Sequence, residues 1–314
     1  MTDSQQDDIG REVDAAMRMF EKSKVGEAAA ITPIRPSRVL LVLDGSPQDQ
    51  TGIESAVYLR TNFNTETLIL DGRAAVADDL AIGVVDQITG SRPITNDAAE
   101  SYEKILAALS SHDVDLAIVP CPFGRDFDKV GTDSAGTVID VLLSRCPTAM
   151  LVTRRSDQSL ANCTSHVAVV VGSECDVIQR SAAWAFGLSA EAATVDLNLV
   201  VEKEQFENIR SIVEALSEGS TLDTEAFTEA LTKTYQSIHQ AMAKTASSLG
   251  RSYHLRPLAG EVSPPSPLQN KDMLLIVLPL EVDDRYGQGF AHDRIRRSPH
   301  PVLVVPGHVK PDSE

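Results

Sequence analysis

The residues best placed to do chemistry lie at two points of the chain. The first aliphatic run, VLLVLDGS (Val39–Ser46), ends on an aspartate, Asp44. Much later, PFGRDFDKVGTDSAGT (Pro122–Thr137) supplies Gly124, Gly131 and the pair Gly136-Thr137. A carboxylate at the carboxyl end of a buried strand can meet a ribose or a metal-bound phosphate, because open α/β sheets take their ligands there. Glycines let a backbone approach phosphates closely, and a helix opening at Thr137 would add free N–H groups, a positive dipole end and a hydroxyl. Together they are the parts of a nucleotide site. Asp44 has a structural reading beside this one: Asp-Gly-Ser is a good turn and a cap for a following helix.

The charges nearby weigh against a triphosphate. Asp126, Asp128 and Asp133 put carboxylates where phosphates would lie, unless Mg²⁺ intervenes or Arg125 and Lys129 turn inward. A micromolar ligand requires about 8 kcal/mol. A helix terminus provides about 0.3–1 kcal/mol, or ~2 when partly buried. Gly136-Thr137 alone therefore cannot hold ATP, and the loop before it must do most of the binding.

Other chemistries find less. A receiver-type phosphoacceptor at Asp44 wants acidic neighbours and a lysine at a later strand tip; Asp71 is present, but no lysine follows Val119 or Val152. There is no GxSxG and no P-loop lysine motif. The seven histidines are scattered. The four cysteines, Cys121, Cys146, Cys163 and Cys175, lack metal-ligand spacing and read as reduced buried thiols.

The net charge of −17 disfavours sequence-independent nucleic-acid binding, which needs cationic groups facing phosphates. The N-terminus MTDSQQDDIG is acidic, unlike a signal peptide, and no apolar run reaches the ~20 residues that span a bilayer. A cytoplasmic protein with no membrane and no nucleic-acid partner is expected.

These candidates need a scaffold, and the pattern supplies one. Strands are predicted at Val39–Leu43, Thr67–Leu70, near Val85–Thr89, and at Leu116–Val119 and Ala149–Val152. Helices are predicted at Thr51–Arg60, Ala74–Ile82, Asp97–Ser110 and Thr137–Ser144. The alternation implies βαβ crossovers and a parallel sheet. It then restarts, with strands at Val167–Val171, Val195–Val200, Met273–Val277 and Val302–Val305. Helices are expected at Val177–Phe186, Glu204–Leu216, Asp223–Leu249 and Ala291–Arg297. SPPSP (Ser263–Pro267) reads as a linker. Residues 1–37 read as an extension, with Val13, Ala16, Met17 and Phe20 on one helix face and the whole arm frayed or loosely docked.

Two offsets measure the repeat. Gly45 pairs with Gly172, an offset of 172 − 45 = 127, and Pro147 of CPTAMLV pairs with Pro299 of SPHPVLV, an offset of 299 − 147 = 152. The difference of 25 residues is an insertion in the second unit, assigned to the helices between Glu202 and Leu249.

VLLVLDGS, DLAIVP (Asp115–Pro120), GTVIDVLLSRCPTAMLV (Gly136–Val152) and, in the second unit, RRSPHPVLVVP (Arg296–Pro306) resemble the universal stress protein family, twice over. The resemblance implies two open, mainly parallel-sheet, Rossmann-like units of the adenine nucleotide alpha hydrolase kind in tandem. The implied division is an extension at 1–37, units at 38–156 and 165–308 with a helical hairpin inserted at about 203–250, and a tail at 309–314. ATP-binding members of that family resemble one another in an aspartate after the first strand and a loop Gly-x2-Gly-x9-Gly-Ser/Thr. Here Gly136-Thr137 fits the last pair, while the two earlier glycine positions fall on Phe123 and Asp126. Gly124 and Gly131 lie close by. In the second unit Val171 is expected where Asp44 stands, and Gln288-Gly289 where Gly136-Thr137 stands.

The resemblance implies a regulatory or protective stress-response protein with degenerate nucleotide sites, acting by binding an unknown protein partner rather than by turnover. A second reading keeps ATP, with Mg²⁺, in the first unit at Asp44, Gly124, Gly131, Gly136 and Thr137, as a sensor or slow ATPase. That reading requires Phe123 and Asp126 to leave the cleft open. A third makes the inserted hairpin an interaction module with an apolar stripe around Phe227, Leu231 and Ile238. The closing strands TAMLV and PVLVV commonly mediate dimerisation in the family. They imply either pairing of the two units within one chain or a homodimer.

Overall fold

The computed structural model describes residues 28–74, 79–131, 134–172, 175–216, 223–261, 273–281 and 284–307. The expected helix face at Val13–Phe20, the linker at Ser263–Pro267, Asp133 and the tail at 309–314 lie outside the described residues.

In chain order the first half runs β1 (Arg38–Leu43), α1 (Gln48–Phe63), β2 (Glu66–Asp71), α2 (Asp79–Val84), β3 (Arg92–Ile94), α3 (Ser101–Ser111), β4 (Leu116–Pro120), α4 (Phe127–Val130), α5 (Thr137–Arg145) and β5 (Ala149–Thr153). A short α6 (Leu160–Cys163) leads to β6 (His166–Val171), α7 (Ile178–Leu188), β7 (Thr194–Glu202), α8 (Lys203–Leu216), α9 (Thr224–Thr234), α10 (Gln236–Ser248), β8 (Ser252–Glu261), β9 (Leu275–Leu280), α11 (Arg285–Arg297) and β10 (Val302–Pro306).

The described strands form one sheet in the order β3-β2-β1-β4-β5-β10-β9-β6-β7-β8. Every pairing is parallel except β5 with β10. Read inward from either edge, the topology is the same. At the join Leu151 faces Leu303, Met150 faces Val304 and Val152 faces Val302. An offset of 152 carries Leu151 onto Leu303 and Met150 onto Val302, so each residue faces the repeat of its mirror. This is the register of a two-fold axis running between the two leucines.

The strands are nearly all aliphatic because both faces are covered. On one face Leu41, Leu43, Ile118, Leu151, Val169, Leu197, Val277 and Leu303 pack with Ala56 and Leu59 of α1, Trp184 and Phe186 of α7, and Met242 of α10. On the other, Leu40, Val42, Leu70, Val119, Met150, Val152, Val302 and Val304 pack with Ile105 of α3, Ile139 and Leu142 of α5, and Ala291 and Ile295 of α11.

Several elements depart from the sequence pattern. The strand expected near Val85–Thr89 is a 3₁₀ turn at Val85–Gln87, and β3 follows it at Arg92–Ile94. Ile88 alone of that stretch is fully buried, which drew the apolar signal one element early. The long helix expected over Asp223–Leu249 breaks at the buried Tyr235 (φ −98°, ψ 16°) into α9 and α10. Strand β8 was not expected, because Pro257 and the polar His254 and Arg256 mask its alternation; as the sheet's edge strand it tolerates all three. Between β7 and β8 stand α8, α9 and α10, where only α2 and the 3₁₀ turn stand between β2 and β3.

The described end of the N-terminal arm is not loosely held. Ile31 is buried, its N–H donates to Thr245 Oγ1 at 2.7 Å, and the Ile34 N–H donates to the Ala183 carbonyl at 2.9 Å. Residues 28–36 thus strap α10 and α7, in the half that follows, before the chain enters β1. At Gly187 a Cβ would lie 1.6 Å from the Ile34 carbonyl oxygen, so only glycine lets the strap approach. Replacing Gly187 by Ala is expected to destabilise the protein by about 1–3 kcal/mol in chemical denaturation, despite alanine's better helix propensity. Gly83→Ala, in open space on α2, is the control and is expected to be neutral or stabilising. Equal behaviour of the two variants would refute the strap's close packing.

Candidate functional site

Asp44 follows β1 directly, at the carboxyl ends of the parallel strands, and is only 5% exposed. Its carboxylate is fully engaged by the protein's own backbone. Oδ1 accepts from the Ser46 N–H at 2.8 Å and Oδ2 from the Gly124 N–H at 2.5 Å. The turn is closed from the other side by Asp49 of α1, which accepts from the N–H groups of Asp44 (3.0 Å) and Gly45 (2.8 Å). Burial, together with the negative charge of Asp44, pushes the Asp49 carboxyl up to about 7.

The structure brings Asp44, Gly124 and the Gly136-Thr137 pair together around Phe123, while Gly131 sits at the far end of α4 with its carbonyl on Arg154. Gly124, Gly131 and Gly136 all have positive φ (69°, 62° and 88°), the region that favours glycine. Gly136 is the N-cap of α5 and Thr137 its first residue. The first turn of α5 therefore presents helix N–H groups that lack intrahelical partners. Of the acidic residues of the loop, Asp126 is spent locally and Asp128 is exposed. Asp126 caps α4, accepting from the Asp128 N–H at 3.0 Å, and Lys129 pairs with Asp126 while its side chain remains 81% exposed. Arg125 is exposed too, so neither cation turns inward.

Phe123 decides the shape of the cleft. A Cβ placed on Gly72, just past β2, would lie 3.0 Å from the Phe123 ring tip and 2.7 Å from Val42. A Cβ on Gly136 would lie 3.7 Å from the Phe123 backbone nitrogen. The residue thus spans the gap between the ends of β1 and β2 and the start of α5, and the Gly124 N–H beside it takes the Asp44 oxygen. Gln48 of α1, fully buried, donates to the Arg125 carbonyl at 2.7 Å and fixes the loop from the far side.

Two residues at this site carried no sequence signal. Arg73, after β2, binds Asp71 in a two-point pair (3.0 and 2.7 Å) and also contacts Asp79, with its stem 3.7 Å from where a Gly45 Cβ would stand. Burial works against the Asp71 charge, but the Arg73 hydrogen bonds outweigh it and hold that carboxyl below its usual range. Arg154, after β5, is fully buried, and its chemistry is taken up below.

The second half is built differently at the same place. Val39 and Val167 hold matching registers, opposite Leu116 of β4 and Leu275 of β9, so Gly172 rather than Val171 takes the position of Asp44. A Cβ there would lie 2.3 Å from the Phe290 ring, which fills the space. Arg294 stacks on that ring at 3.5 Å and pairs with Glu202 at 3.0 Å. Gln288-Gly289 lie inside α11, which begins four residues earlier than the repeat of α5 (137 + 152 − 285 = 4). The Gln288 N–H is spent on the Asp284 carbonyl at 2.9 Å, so no helix N-terminus is free at this position.

Among the described residues no group of three or more His, Cys, Asp or Glu side chains could hold a metal ion, and no helix is long and apolar enough to cross a membrane. Cys121, Cys146 and Cys163 are buried free thiols, and Cys175 is half-buried. Burial pushes Cys121 and Cys146 up to about 11, Arg154 partly opposing this at Cys121.

No protein-family model and no curated protein matches the sequence. Solved structures do match the fold. A functionally unknown protein from Pseudomonas aeruginosa PAO1 superposes with a TM-score of 0.57 at 13% identity, over 87% of this chain and 93% of that one. A putative universal stress protein from Pseudomonas aeruginosa UCBPP-PA14 gives 0.55 at 14%, over 86% and 93%. A universal stress protein from Archaeoglobus fulgidus DSM 4304 gives 0.55 at 13%, over 87% and 97%. The chain has the mainly parallel α/β fold of these proteins.

Gly172→Ala is expected to cost about 1–3 kcal/mol by overpacking against Phe290. Phe290→Leu should recover much of that loss in a double-mutant cycle, and additive effects would show that the ring does not fill the position. Asp49 gives a pH test. Its native pKa stands above the unfolded value, so its contribution is full at low pH and lost as pH rises through about 7. The stability of Asp49→Asn relative to wild type should therefore improve between pH 5 and pH 8 in urea titrations; a constant difference would contradict the raised pKa.

Proposed function

We propose that this chain is a tandem universal-stress-protein-like protein of the stress response, regulatory or protective, which acts by binding another protein and not by turnover. The units are 38–156 and 165–308, the second enlarged at about 203–250, and the chain works in the cytoplasm. The observation that carries this reading is the filling of both ligand positions by phenylalanine, Phe123 beside Gly72 and Phe290 against Gly172. Both Asp44 carboxylate oxygens already accept from the protein's own backbone, Oδ1 from the Ser46 N–H and Oδ2 from the Gly124 N–H, so a ribose would have to compete with these bonds. The two-fold register of β5 on β10 supports pairing of the two units within one chain, leaving a homodimer through those strands without a free edge. The fold similarity to the universal stress protein structures supports the stress-response assignment.

The second reading, an ATP sensor using the first unit alone, is favoured by one feature. Gly136 and Thr137 open α5 with free N–H groups, and Gly124, Gly131 and Gly136 keep the positive φ of a phosphate loop. Calorimetric titration of the full chain with MgATP separates the two. No binding up to millimolar nucleotide is expected. Micromolar binding that disappears in both Asp44→Ala and Gly136→Val would replace the scaffold reading with the sensor.

The insertion is the candidate surface for a protein partner. None of α9 is fully buried, and Phe227, Leu231 and Ile238 are half-buried rather than sealed under the sheet. Phe227 meets Phe206 edge-to-face at 5.2 Å.

A further inference from the structure

The loop that blocks the first site differs from an ordinary packed plug. Gly124 and Gly131 would carry a Cβ into open space, so no atom packs on that side of the backbone. Gly124, Arg125, Asp128 and Lys129 are exposed, and Phe123 itself is only half-buried. The segment is held by the Phe123 ring, which packs against the core on that face of the sheet, and by three polar points: Gly124 N–H on Asp44, Arg125 carbonyl on Gln48, and Gly131 carbonyl on Arg154. Beneath it the ligand groups of the site remain built, with Asp44 at the strand end and the first turn of α5 opposite.

Arg154 holds the far end. It is fully buried, and among the described residues no carboxylate pairs with it. Nη1 donates to Cys121 Sγ at 3.0 Å, at the exit of β4. Nη2 donates to the Gly131 carbonyl at 3.3 Å and to the Arg296 carbonyl at 2.8 Å, in the last turn of α11. The guanidinium lies 4.6 Å over the Phe127 ring of α4. One cation therefore grips the loop at its start, middle and end, and anchors it to a helix of the second half.

We propose that residues 122–131 form an autoinhibitory lid over the first site, with Phe123 and the Gly124 N–H standing in for a ligand's aromatic ring and its neighbouring hydrogen-bond donor, and with Arg154 as the latch to the second half. This rests on the reading above that Phe123 fills the site, and it adds that the filling is reversible. The ligand class follows from what leaves. A planar heteroaromatic bearing an N–H or O–H donor replaces the ring beside Gly72 and the donor on Asp44. Arg154 is a positioning residue, since it touches the loop and not the ligand.

The test uses the full chain, adenosine and MgATP as probes, and hydrogen exchange as a readout independent of binding. Wild type should bind neither probe. Phe123→Ala, which keeps Asp44 and α5 intact, should gain adenosine binding at least tenfold tighter than the detection limit at which wild type stays silent. Arg154→Met should raise exchange at Gly124 and Gly131 at least tenfold while β4 and β5 keep their protection. Should Arg154→Met fail to fold, Asp44→Ala frees the other end of the loop and carries the same exchange test. Silence of both wild type and Phe123→Ala overturns the lid and leaves the binding scaffold standing. Wild-type exchange across 122–131 as slow as in β4 overturns it as well. Micromolar MgATP binding by wild type instead overturns the scaffold reading, because the site would then be open without any release.

Discussion

Everything else in the molecule hangs on the pairing of β5 with β10. Each is a five-residue strand buried along its whole length, and each would otherwise be an apolar edge. Paired, they remove both edges at once and convert two five-stranded sheets into one sheet of ten. Their register is fixed by the two cores. Met150, Val152, Val302 and Val304 belong to one core, while Leu151 and Leu303 belong to the other. A slip of one residue would turn every one of these side chains to the wrong face. The helices on either side then meet across the same axis, where His292 of α11 stands 3.0 Å from Asp140 of α5.

Much of this was legible in the chain. The offset of 152 between CPTAMLV and SPHPVLV is the offset that the β5–β10 register obeys, so two short motifs carried the geometry of the join. The aliphatic strands and the small-residue helices were equally plain, because burial on both faces leaves little freedom of residue type. Legibility failed where the burial signal was mixed. Strand β8, on an edge, alternates apolar with charged residues around Pro257, and a proline in a strand argues against it unless the edge is known. The strap at Ile31 and Ile34 was unreadable for another reason: its partners, Thr245 and Ala183, lie far along the chain, and no local period marks such a contact.

The site was legible in its parts and not in its state. Asp44, Gly124 and the Gly136-Thr137 pair were expected near one another and are, and Phe123 and Asp126 were both marked as residues that would have to stay clear. Whether a carboxylate accepts from a ligand or from its own loop is a matter of a few ångströms of backbone placement, which residue types do not encode. Phe290 shows the same limit in the second half. Counting along the chain put Gln288-Gly289 at the helix start, but α11 adds a turn, which carries Phe290 into the space left by Gly172. That turn also consumes the N–H groups a ligand would need, so the second position is closed by both shape and hydrogen bonding.

The two halves therefore place a phenylalanine at the corresponding strand ends by unlike means, and Arg154 shows why the difference matters. In the second half the blocking ring rides on a thirteen-residue helix and is stacked under Arg294, so opening it would mean unpacking α11 from the core. In the first half the ring rides on a loop with exposed backbone at Gly124 and Arg125 and three part-buried hydrogen bonds to the rest of the protein, the kind of segment that opens at lower cost than a packed helix. A fully buried guanidinium is expensive unless something offsets its charge. At Arg154 the compensation is the Arg296 carbonyl in the last turn of α11, the negative end of that helix dipole, together with the Phe127 ring. The compensation for the first half's loop cation is thus supplied by a helix of the second half. Through Arg154 the 122–131 loop of the first half is therefore tied directly to the second half, although that half carries no carboxylate at the position of Asp44 itself.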